Sequence, residues 1–210
     1  KLIKKNSNIL VESNCDVENL DLPSRINRNR VVLQSKEKTL SCDLLLAADG
    51  RFSKTRFHAE VKYFYHDYKQ SAYVFNIRHE KSHQSTALER FFPTGPLAIL
   101  PMKSSKNKQS SVVWTVDNIH GDLLKLSPNQ FLNEFNKRYD NFFGKIQHMS
   151  NPVKFNLNIF SCYEFHNNKI VLVGDACQAI HPIAGQGFNL GVRDADTLAK
   201  SLSEAKFLGL

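Results

Sequence analysis

No run of apolar residues in this 210-residue chain approaches the ~20 needed to cross a bilayer, and no basic-then-apolar leader opens it. The reading is of an intracellular protein without a spanning segment or an export signal. Cysteine is sparse: Cys15, Cys42, Cys162 and Cys177 lie far apart with no C-x-x-C pair. That spacing speaks against a zinc ribbon and a dense disulfide framework, and the thiols are expected to be reduced. Internal repeats and low-complexity tracts are absent, which removes solenoids and linkers. The dinucleotide fingerprint G-x-G-x-x-G is missing too. The chain begins with Lys1 rather than Met, with a strand-like run two residues in, and is expected to be a piece of a longer protein.

What is present is ordinary for a folded protein. The hydrophobic share is 41% and the charged share 23%, so disorder is not the default reading, and the length suffices for one good core or a core with a smaller companion. Lysine and arginine number 28 against 20 acids, a net +8, with clusters in KLIKK at the start and KSSKNK at Lys103 to Lys108. Such charge suits nucleic acid or an anionic membrane surface, but the runs lack interleaved aromatics and a solvated loop is the commoner meaning. Membrane proximity ranks above nucleic acid, and no nucleic-acid partner is expected.

Two kinds of strand pattern alternate along the chain. Val31 to Leu33 and Leu44 to Ala48 read as strands joined by a polar stretch suited to a hairpin or meander. The continuous apolar run Leu44 to Ala48 predicts a strand covered on both faces, as in a parallel sheet, ending at Asp49-Gly50. From about Val61 the pattern becomes aromatic and alternating in YVFNI, ALERFF, LAIL and SVVWTV, with PTGP as a turn, which predicts a sizeable antiparallel sheet. SPNQFLNEFNKRY predicts a helix with Ser127 as N-cap, Pro128 in the first turn, Gln130 closing a capping box, and Phe131, Leu132 and Phe135 as the buried stripe. The covered-strand pattern returns in KIVLVGDA, followed by a glycine loop and a helix from about Phe188 to Ser203. The middle is therefore expected to be inserted into the flanking domain.

HEKSH, His79 to His83, matches the zinc-protease spelling H-E-x-x-H, but that chemistry needs both histidines on one helical face. It follows an alternating strand, so a polar strand end and turn is the stronger reading, and no metal site is expected. The loop GDACQAIHPIAGQGFNLG carries Gly185, Gly187 and Gly191 after a buried strand ending at Gly174-Asp175. A helix N-terminus there offers unpaired N–H groups and partial positive charge to a ligand that becomes anionic. Asp175, at the carboxyl end of its strand, suits a sugar-like hydroxyl. Taken singly, Asp175 reads as a loop cap and the glycines as turn formers.

Together, GDACQAIHPIAGQGFNLGVRDA resembles the second flavin-binding motif of the class A flavoprotein aromatic hydroxylases, the p-hydroxybenzoate hydroxylase-like superfamily. LLAADGRFSKTR resembles their D-G-x-x-S-x-x-R motif, filled by Asp49, Gly50, Ser53 and Arg56. RHEKSHQSTALERFFPTGPLAILP, Arg78 to Pro101, is similar to the ubiquinone-biosynthesis hydroxylases of the 2-polyprenyl-6-methoxyphenol hydroxylase type. Gln178 departs from the histidine common in the wider superfamily and agrees with the ubiquinone branch. The resemblance spans essentially the whole chain, but the family's opening βαβ unit, which holds the ADP half of FAD, and its C-terminal tail are absent from it.

The resemblance implies an α/β fold with mixed α+β character: a partial Rossmann-like FAD-binding domain (residues 1–58 and 161–210) with an inserted antiparallel-sheet substrate domain (59–160). It implies an FAD-dependent monooxygenase that hydroxylates a polyprenylated phenol through a flavin C4a-hydroperoxide, with O2 as oxidant and NAD(P)H as reductant. A fragment of this kind is not expected to be active alone. The cofactor-binding set it implies is Asp49, Gly50, Arg56, Gly174, Asp175, Pro182, Gly185, Gln186, Gly187, Phe188 and Asn189. Pro182 is also assigned the catalytic position, its carbonyl placing the substrate; for Arg56 an ordinary surface ion pair stays open. His181 is given an orienting hydrogen bond rather than proton transfer. Phe91, Phe92, Leu97, Ile99 and Leu100 are candidate substrate walls, and equally sheet core. Other ubiquinone-biosynthesis proteins are candidate partners, and a cytoplasmic protein peripheral to the inner face of the inner membrane is the expected location. The alternatives are a flavin hydroxylase of another aromatic and a non-catalytic flavoprotein remnant acting as a scaffold.

Overall fold

In the computed structural model, which describes residues 6–23, 29–104 and 106–208, the chain divides into two units. The first is Lys1–Tyr65 with Phe160–Leu210, and the second is His66–Ile159. The basic KLIKK cluster and the strand-like run expected at the start lie outside the described residues. Among the described residues no helix is long and apolar enough to cross a membrane.

In the first unit, β1 (Asn19–Asp21), β2 (Val31–Gln34) and β3 (Thr39–Cys42) form an antiparallel sheet in that order. The hairpin partner of β2 is thus Thr39–Cys42, closed by a short polar turn, and not the apolar run beyond it. That run becomes β4 (Leu45–Ala47), which a short helix, α1 (Lys54–His58), follows. The long β5 (Tyr63–His79) then leads into the second unit. The parallel pairing expected for β4 is present, but the expectation that both faces are covered is corrected: Ala47 is buried while Leu46 is 47% exposed. Only one face of this sheet packs on the core of Val31, Ala59, Val61, Ile170 and Leu172, so apolarity on the other face does not translate into burial.

The second unit follows the alternating pattern closely. β5, β6 (Leu88–Phe92), β7 (Gly95–Met102) and β8 (Gln109–Asp117) pair antiparallel in the order β5-β8-β7-β6. The turn between β6 and β7 is PTGP, as expected, and it requires glycine. At Gly95 φ is +133°, and a Cβ would stand 2.7 Å from the Thr115 carbonyl oxygen. The helix α2 (Pro128–Tyr139) begins with the complete capping box of Ser127 and Gln130. Its buried stripe is Phe131, Phe135 and Tyr139 rather than Phe131, Leu132 and Phe135. The i, i+4, i+8 spacing keeps Tyr139 on the core side, whereas Leu132 is turned part-way out. Phe131 and Phe135 meet Phe75 edge-on at 5.4 and 5.0 Å between centroids, and Trp114 joins them. β9 (Ile146–Met149) pairs with β5, and β10 (Val153–Cys162) lies on the other side of β5 from β8.

Alternation also sorts the candidate substrate walls. Leu97 and Ile99 are fully buried in the core under α2, which corrects their assignment as walls; Phe92 packs part-buried against that core. Phe91 and Leu100 point to the opposite face and are 68% and 42% exposed. HEKSH is a strand end and turn, yet its histidines are buried. His79 donates through Nδ1 to the Lys81 carbonyl (2.6 Å) and pairs through Nε2 with Ser110 Oγ (3.0 Å), while His83 donates through Nε2 to the Met102 carbonyl at 3.1 Å and accepts the Ser85 amide at Nδ1 at 3.0 Å. Carbonyls only accept, so a ring N–H of each histidine donates to the backbone and ties the turn to the sheet, and burial lowers the pKa of His79 and favours its neutral ring.

The chain returns to the first unit through the end of β10, β11 (His166–Asn167) and β12 (Ile170–Leu172). β12 pairs parallel with β4 and antiparallel with β11. After β13 (Gln178–Ala179), antiparallel to the end of β10, comes α3 (Gly187–Phe207), longer at both ends than expected.

Candidate functional site

Two of the sequence motifs meet in the first unit. Asp49 follows β4, Gly50 turns the chain with φ at +81°, and Ser53 caps α1 by accepting the Arg56 amide at 2.9 Å. Asp49 Oδ2 accepts the Thr55 amide at 3.1 Å. Partial burial alone would raise the Asp49 pKa; hydrogen bonds from Ser53 and Thr55 outweigh it and hold the carboxyl below its ordinary value. Asp49 is therefore anionic at neutral pH, and most of its hydrogen bonding goes to its own turn.

Arg56 sits where its family assignment alone would not place it. Nη1 donates to the Ala176 carbonyl at 2.7 Å, across 120 residues of sequence, and Nη2 donates to the Arg51 carbonyl at 2.8 Å. The guanidinium also lies 4.6 Å from the Phe160 ring centroid and 5.1 Å from that of Tyr63. This is a staple joining the end of the first motif to the start of the second. It is no surface ion pair: among the described residues its partners are carbonyl oxygens and ring faces.

The second motif begins where β12 ends. Gly174 adopts φ +58° and opens a 3-10 turn, Gly174–Ala176, which places Asp175 outward. Asp175 is exposed and has no hydrogen-bond partner among the described residues. The turn is anchored from α3 by Asp194, which the sequence reading did not single out. Its Oδ2 accepts the Gly174 amide at 3.0 Å, and both its oxygens lie 3.3 Å from Gln178 Nε2. Cys177 Sγ is 3.6 Å from the same carboxylate, and burial together with that negative charge pushes the thiol up to about 12. Gly191 packs directly on this turn: a Cβ there would reach van der Waals contact, 3.4 Å, with Gly174 Cα. The available signal was the i, i+3 spacing of Gly191 and Asp194, which puts a small residue and an acceptor on one helix face.

Between these anchors runs the glycine loop. His181 Nδ1 accepts the Ile183 amide at 3.1 Å, and burial lowers its pKa, so a neutral ring orients the loop. Pro182 is exposed and leads the 3-10 turn Ile183–Gly185, in which Gly185 adopts φ +60°. Gln186 precedes α3 without a side-chain cap, and its own amide oxygen accepts from Asn189 Nδ2 at 3.3 Å. The first intrahelical bond is from the Leu190 amide, so the amides of Gly187, Phe188 and Asn189 stand at an open helix N-terminus. A Cβ at Gly185 or Gly187 would meet nothing within 4 Å, and Phe188 is 80% exposed.

In the first unit the Gly174–Ala176 turn thus packs against α3 through Gly174 and Gly191, the exposed loop from Pro182 leads directly into that helix, and Arg56 staples the turn to that of Asp49 and Gly50. Chemically, these elements offer uncapped N–H groups and the positive end of a 21-residue helix to a negatively charged ligand edge. They also offer a free carboxylate to hydroxyl donors. Residues 23–206 match the family described as FAD binding domain. The chain is 37% identical over 178 residues to "Ubiquinone hydroxylase UbiL" of Rhodospirillum rubrum, covering 84% of this chain and 41% of that protein. It is 27% identical over 243 residues to the mitochondrial "Ubiquinone biosynthesis monooxygenase COQ6" of Drosophila melanogaster, covering 99% and 50%. Among solved structures, p-nitrophenol 4-monooxygenase PnpA of Pseudomonas putida superposes with a TM-score of 0.76 at 19% identity, covering 99% of this chain and 52% of that one. That likeness establishes the p-hydroxybenzoate hydroxylase-like fold, and the chain spans two fifths to about half the length of these proteins.

Proposed function

The chain belongs to the FAD binding domain family, and from that premise we propose that it forms the flavin-facing part of an FAD-dependent monooxygenase that hydroxylates a polyprenylated phenol in ubiquinone biosynthesis. The observation that carries this reading is the uncapped N-terminus of α3 behind an open glycine loop, with the exposed, unpartnered Asp175 in the turn that packs on the same helix. The residues fit the group in kind. The amides of Gly187, Phe188 and Asn189 would face the ring edge that gains negative charge on reduction, and Asp175 would accept hydrogen bonds from the ribityl hydroxyls. The chemistry FAD would supply there is redox: electrons from a nicotinamide would activate O2, one atom of which would enter the phenol ring while the other leaves as water.

The chain's own residues do the rest. Arg56 and Asp194 hold the 174–178 turn from both sides, so Asp175 and the α3 amides are fixed before any ligand arrives, which lowers the ordering cost of binding. His181, neutral through burial, keeps Pro182 and its carbonyl in one orientation for the substrate. The second unit is the proposed substrate domain, inserted in the flavin domain, and the exposed side chains of Phe91 and Leu100 on the sheet face away from α2 are the apolar wall left to a prenylated ring. The names of both ubiquinone-pathway relatives support the phenolic substrate and oxygen.

The test has two parts. Titration of the chain with FAD, followed by flavin fluorescence, should give saturable quenching that Asp175→Ala weakens about tenfold, the value of one charge-assisted hydrogen bond. In the longer protein that carries this chain, anaerobic reduction by NAD(P)H and then oxygen in the presence of a prenylated phenol should yield a ring-hydroxylated product. A protein that binds FAD but releases only hydrogen peroxide with every prenylated phenol would point to a different aromatic substrate, and one that never binds FAD would favour a scaffold.

A further inference from the structure

Two of the four cysteines meet across a strand pair, and the flavin site uses neither sulfur. β10 and β13 pair antiparallel with Phe160 opposite Ala179 and Ser161 opposite Gln178. One step further along this register Cys162 stands opposite Cys177, and the Cys162 amide donates to the Cys177 carbonyl at 2.9 Å. Residues opposite each other in an antiparallel pair point to the same face, and at a hydrogen-bonded position their Cα atoms lie about 5.5 Å apart. That falls inside the span a disulfide bridges, about 4.4–6.8 Å. Both side chains are buried in one core with Val31, Ala59 and Leu172. Both are free thiols, as are Cys15 and Cys42, which are only part-buried.

The two sulfurs have neighbours of opposite charge. The Arg56 guanidinium lies 4.6 Å from the ring centroid of Phe160, two residues before Cys162 and on the same face of β10. Burial pushes the Cys162 thiol up, and that guanidinium opposes the rise. Cys177 faces acceptors instead. Its Sγ is 3.3 Å from the Gly174 carbonyl oxygen and 3.6 Å from Asp194 Oδ2, so its single proton is held between two oxygens. A cation beside one thiol favours its thiolate, and a carboxylate beside the other can take its proton. That is the division of labour between an attacking and a resolving cysteine. Access is through β13, a two-residue strand at the edge of its sheet, whose local opening admits a water-sized oxidant.

We infer that Cys162 and Cys177 are a peroxide-responsive pair whose disulfide re-ties the 174–178 turn from α3 to β10. The Cys162 sulfur attacks hydrogen peroxide, the O–O bond breaks, and the products are a Cys162 sulfenic acid and one water. The Cys177 sulfur then displaces the sulfenic hydroxyl. The S–S bond forms, the S–O bond breaks, and the Cys177 proton passes through Asp194 to the departing hydroxide, giving a second water. The two thiols lose two electrons and the peroxide gains them. Cys177 Sγ thereby leaves both the Gly174 carbonyl and the Asp194 carboxylate, so the turn that carries Asp175 loses that contact with α3 and gains a covalent one with β10. Hydrogen peroxide is the by-product of a flavin site that activates O2 without transferring it, so the pair would register uncoupled turnover; this source of oxidant alone rests on the flavin reading.

The experiment uses the full chain with Cys15→Ser and Cys42→Ser, which leaves only this pair. Millimolar hydrogen peroxide, followed by alkylation in denaturant and intact mass measurement, should give one intramolecular disulfide that dithiothreitol reverses. With Cys177→Ser added, dimedone should trap a sulfenic acid at Cys162; with Cys162→Ser added, Cys177 should give none. Hydrogen exchange of the Gly174 amide should quicken about threefold in the oxidised chain, the value of one weak hydrogen bond, and return on reduction. Two alkylatable thiols after peroxide, over-oxidation without a disulfide, a disulfide between chains, or unchanged exchange in the oxidised chain would each overturn the inference. The double-serine parent keeps both buried cysteines, so its disulfide and exchange results stand even if a serine at position 162 or 177 unfolds the first unit. A chain that forms the disulfide and binds no FAD in either state would support the pair and remove the flavin reading.

Discussion

Replacing Arg56 by alanine separates a structural staple from a cofactor ligand. The substitution removes two hydrogen bonds from a charged donor, at 2.7 and 2.8 Å, and the contacts of the guanidinium with Phe160 and Tyr63. Bonds of that kind contribute about 1.5–3 kcal/mol each and a cation–π contact about 0.5–2. The sum is not additive, and the side chain is only half-buried, so about 3 kcal/mol is the expected loss. For a chain of this length that corresponds to a fall of roughly 6–12 °C in the midpoint of the affected transition. The chain supplies its own reporters. Cys162 and Cys177 are buried in the first unit, and Trp114, the single tryptophan, is buried in the second. Thiol labelling against urea should therefore show Arg56→Ala opening the first unit at lower denaturant, with a larger shift than that of Trp114 emission. Arg56→Lys should recover less than half of the loss, because an ammonium cannot reach both carbonyls with a planar fork. An unchanged thiol midpoint together with lost FAD affinity would refute the staple and make Arg56 a direct cofactor ligand.

Three other perturbations follow from the same geometry. Asp122 accepts from Lys154 Nζ at 2.8 Å, from the Leu124 amide and from the Tyr73 hydroxyl, and these hold its pKa down at about 2. A depressed carboxyl stabilises the fold above its unfolded value and loses that contribution as pH falls through about 2; discounted for solvent screening, Asp122→Asn should cost about 1 kcal/mol at pH 7 and flatten the Trp114-monitored stability profile below pH 4. His79 has its pKa lowered by burial first, with His83 and Lys108 adding to it against the Lys81 carbonyl. The unfolded chain then binds the extra proton, so stability is full above the ordinary histidine value and declines as pH drops below about 6.5, a slope that His79→Gln should remove in urea titrations at successive pH values. Gly95→Ala places a Cβ 2.7 Å from the Thr115 carbonyl oxygen at φ +133°, and should destabilise the second unit by about 3 kcal/mol, whereas Gly121→Ala, with open space around it, should cost less in the same Trp114 assay.

Strand type was legible because it is written in neighbouring residues. The alternation of Tyr73, Phe75 and Ile77 and of Val112, Trp114 and Val116 with more polar positions is a local property, and every one of these residues is buried on the α2 side. The capping box of α2 is equally local. Apolarity without alternation was less informative. Leu44 to Ala48 reads as covered on both faces because three leucines in a row leave no polar side, but Leu46 is exposed, since covering a second face takes another layer of structure that the strand's own residues do not specify. Leu97 and Ile99 were candidates for substrate contact and for core on equal terms, and two rungs of pairing, Leu97 with Trp114 and Ile99 with Val112, assign them to the core.

The site was legible to the extent that its parts touch through their own neighbours in sequence. Gly50, Gly174 and Gly185 each adopt the positive φ that a glycine at a turn suggests, and α3 opens directly after the glycine loop. The stapling role of Arg56 and the anchoring role of Asp194 escaped for a common physical reason. Each bonds to backbone: Arg56 to a carbonyl 120 residues away, Asp194 to an amide 20 residues away. A backbone group has no identity in the sequence, so a side chain whose partner is a carbonyl or an amide leaves no complementary residue to find. An arginine that bridges two motifs and an arginine that grips a phosphate are then spelled alike. Family resemblance does not separate them; only the direction of the guanidinium does. In this chain that direction is inward, to Ala176 and Arg51, and the consequence for the proposed site is that the first motif would act on it through the shape of the second.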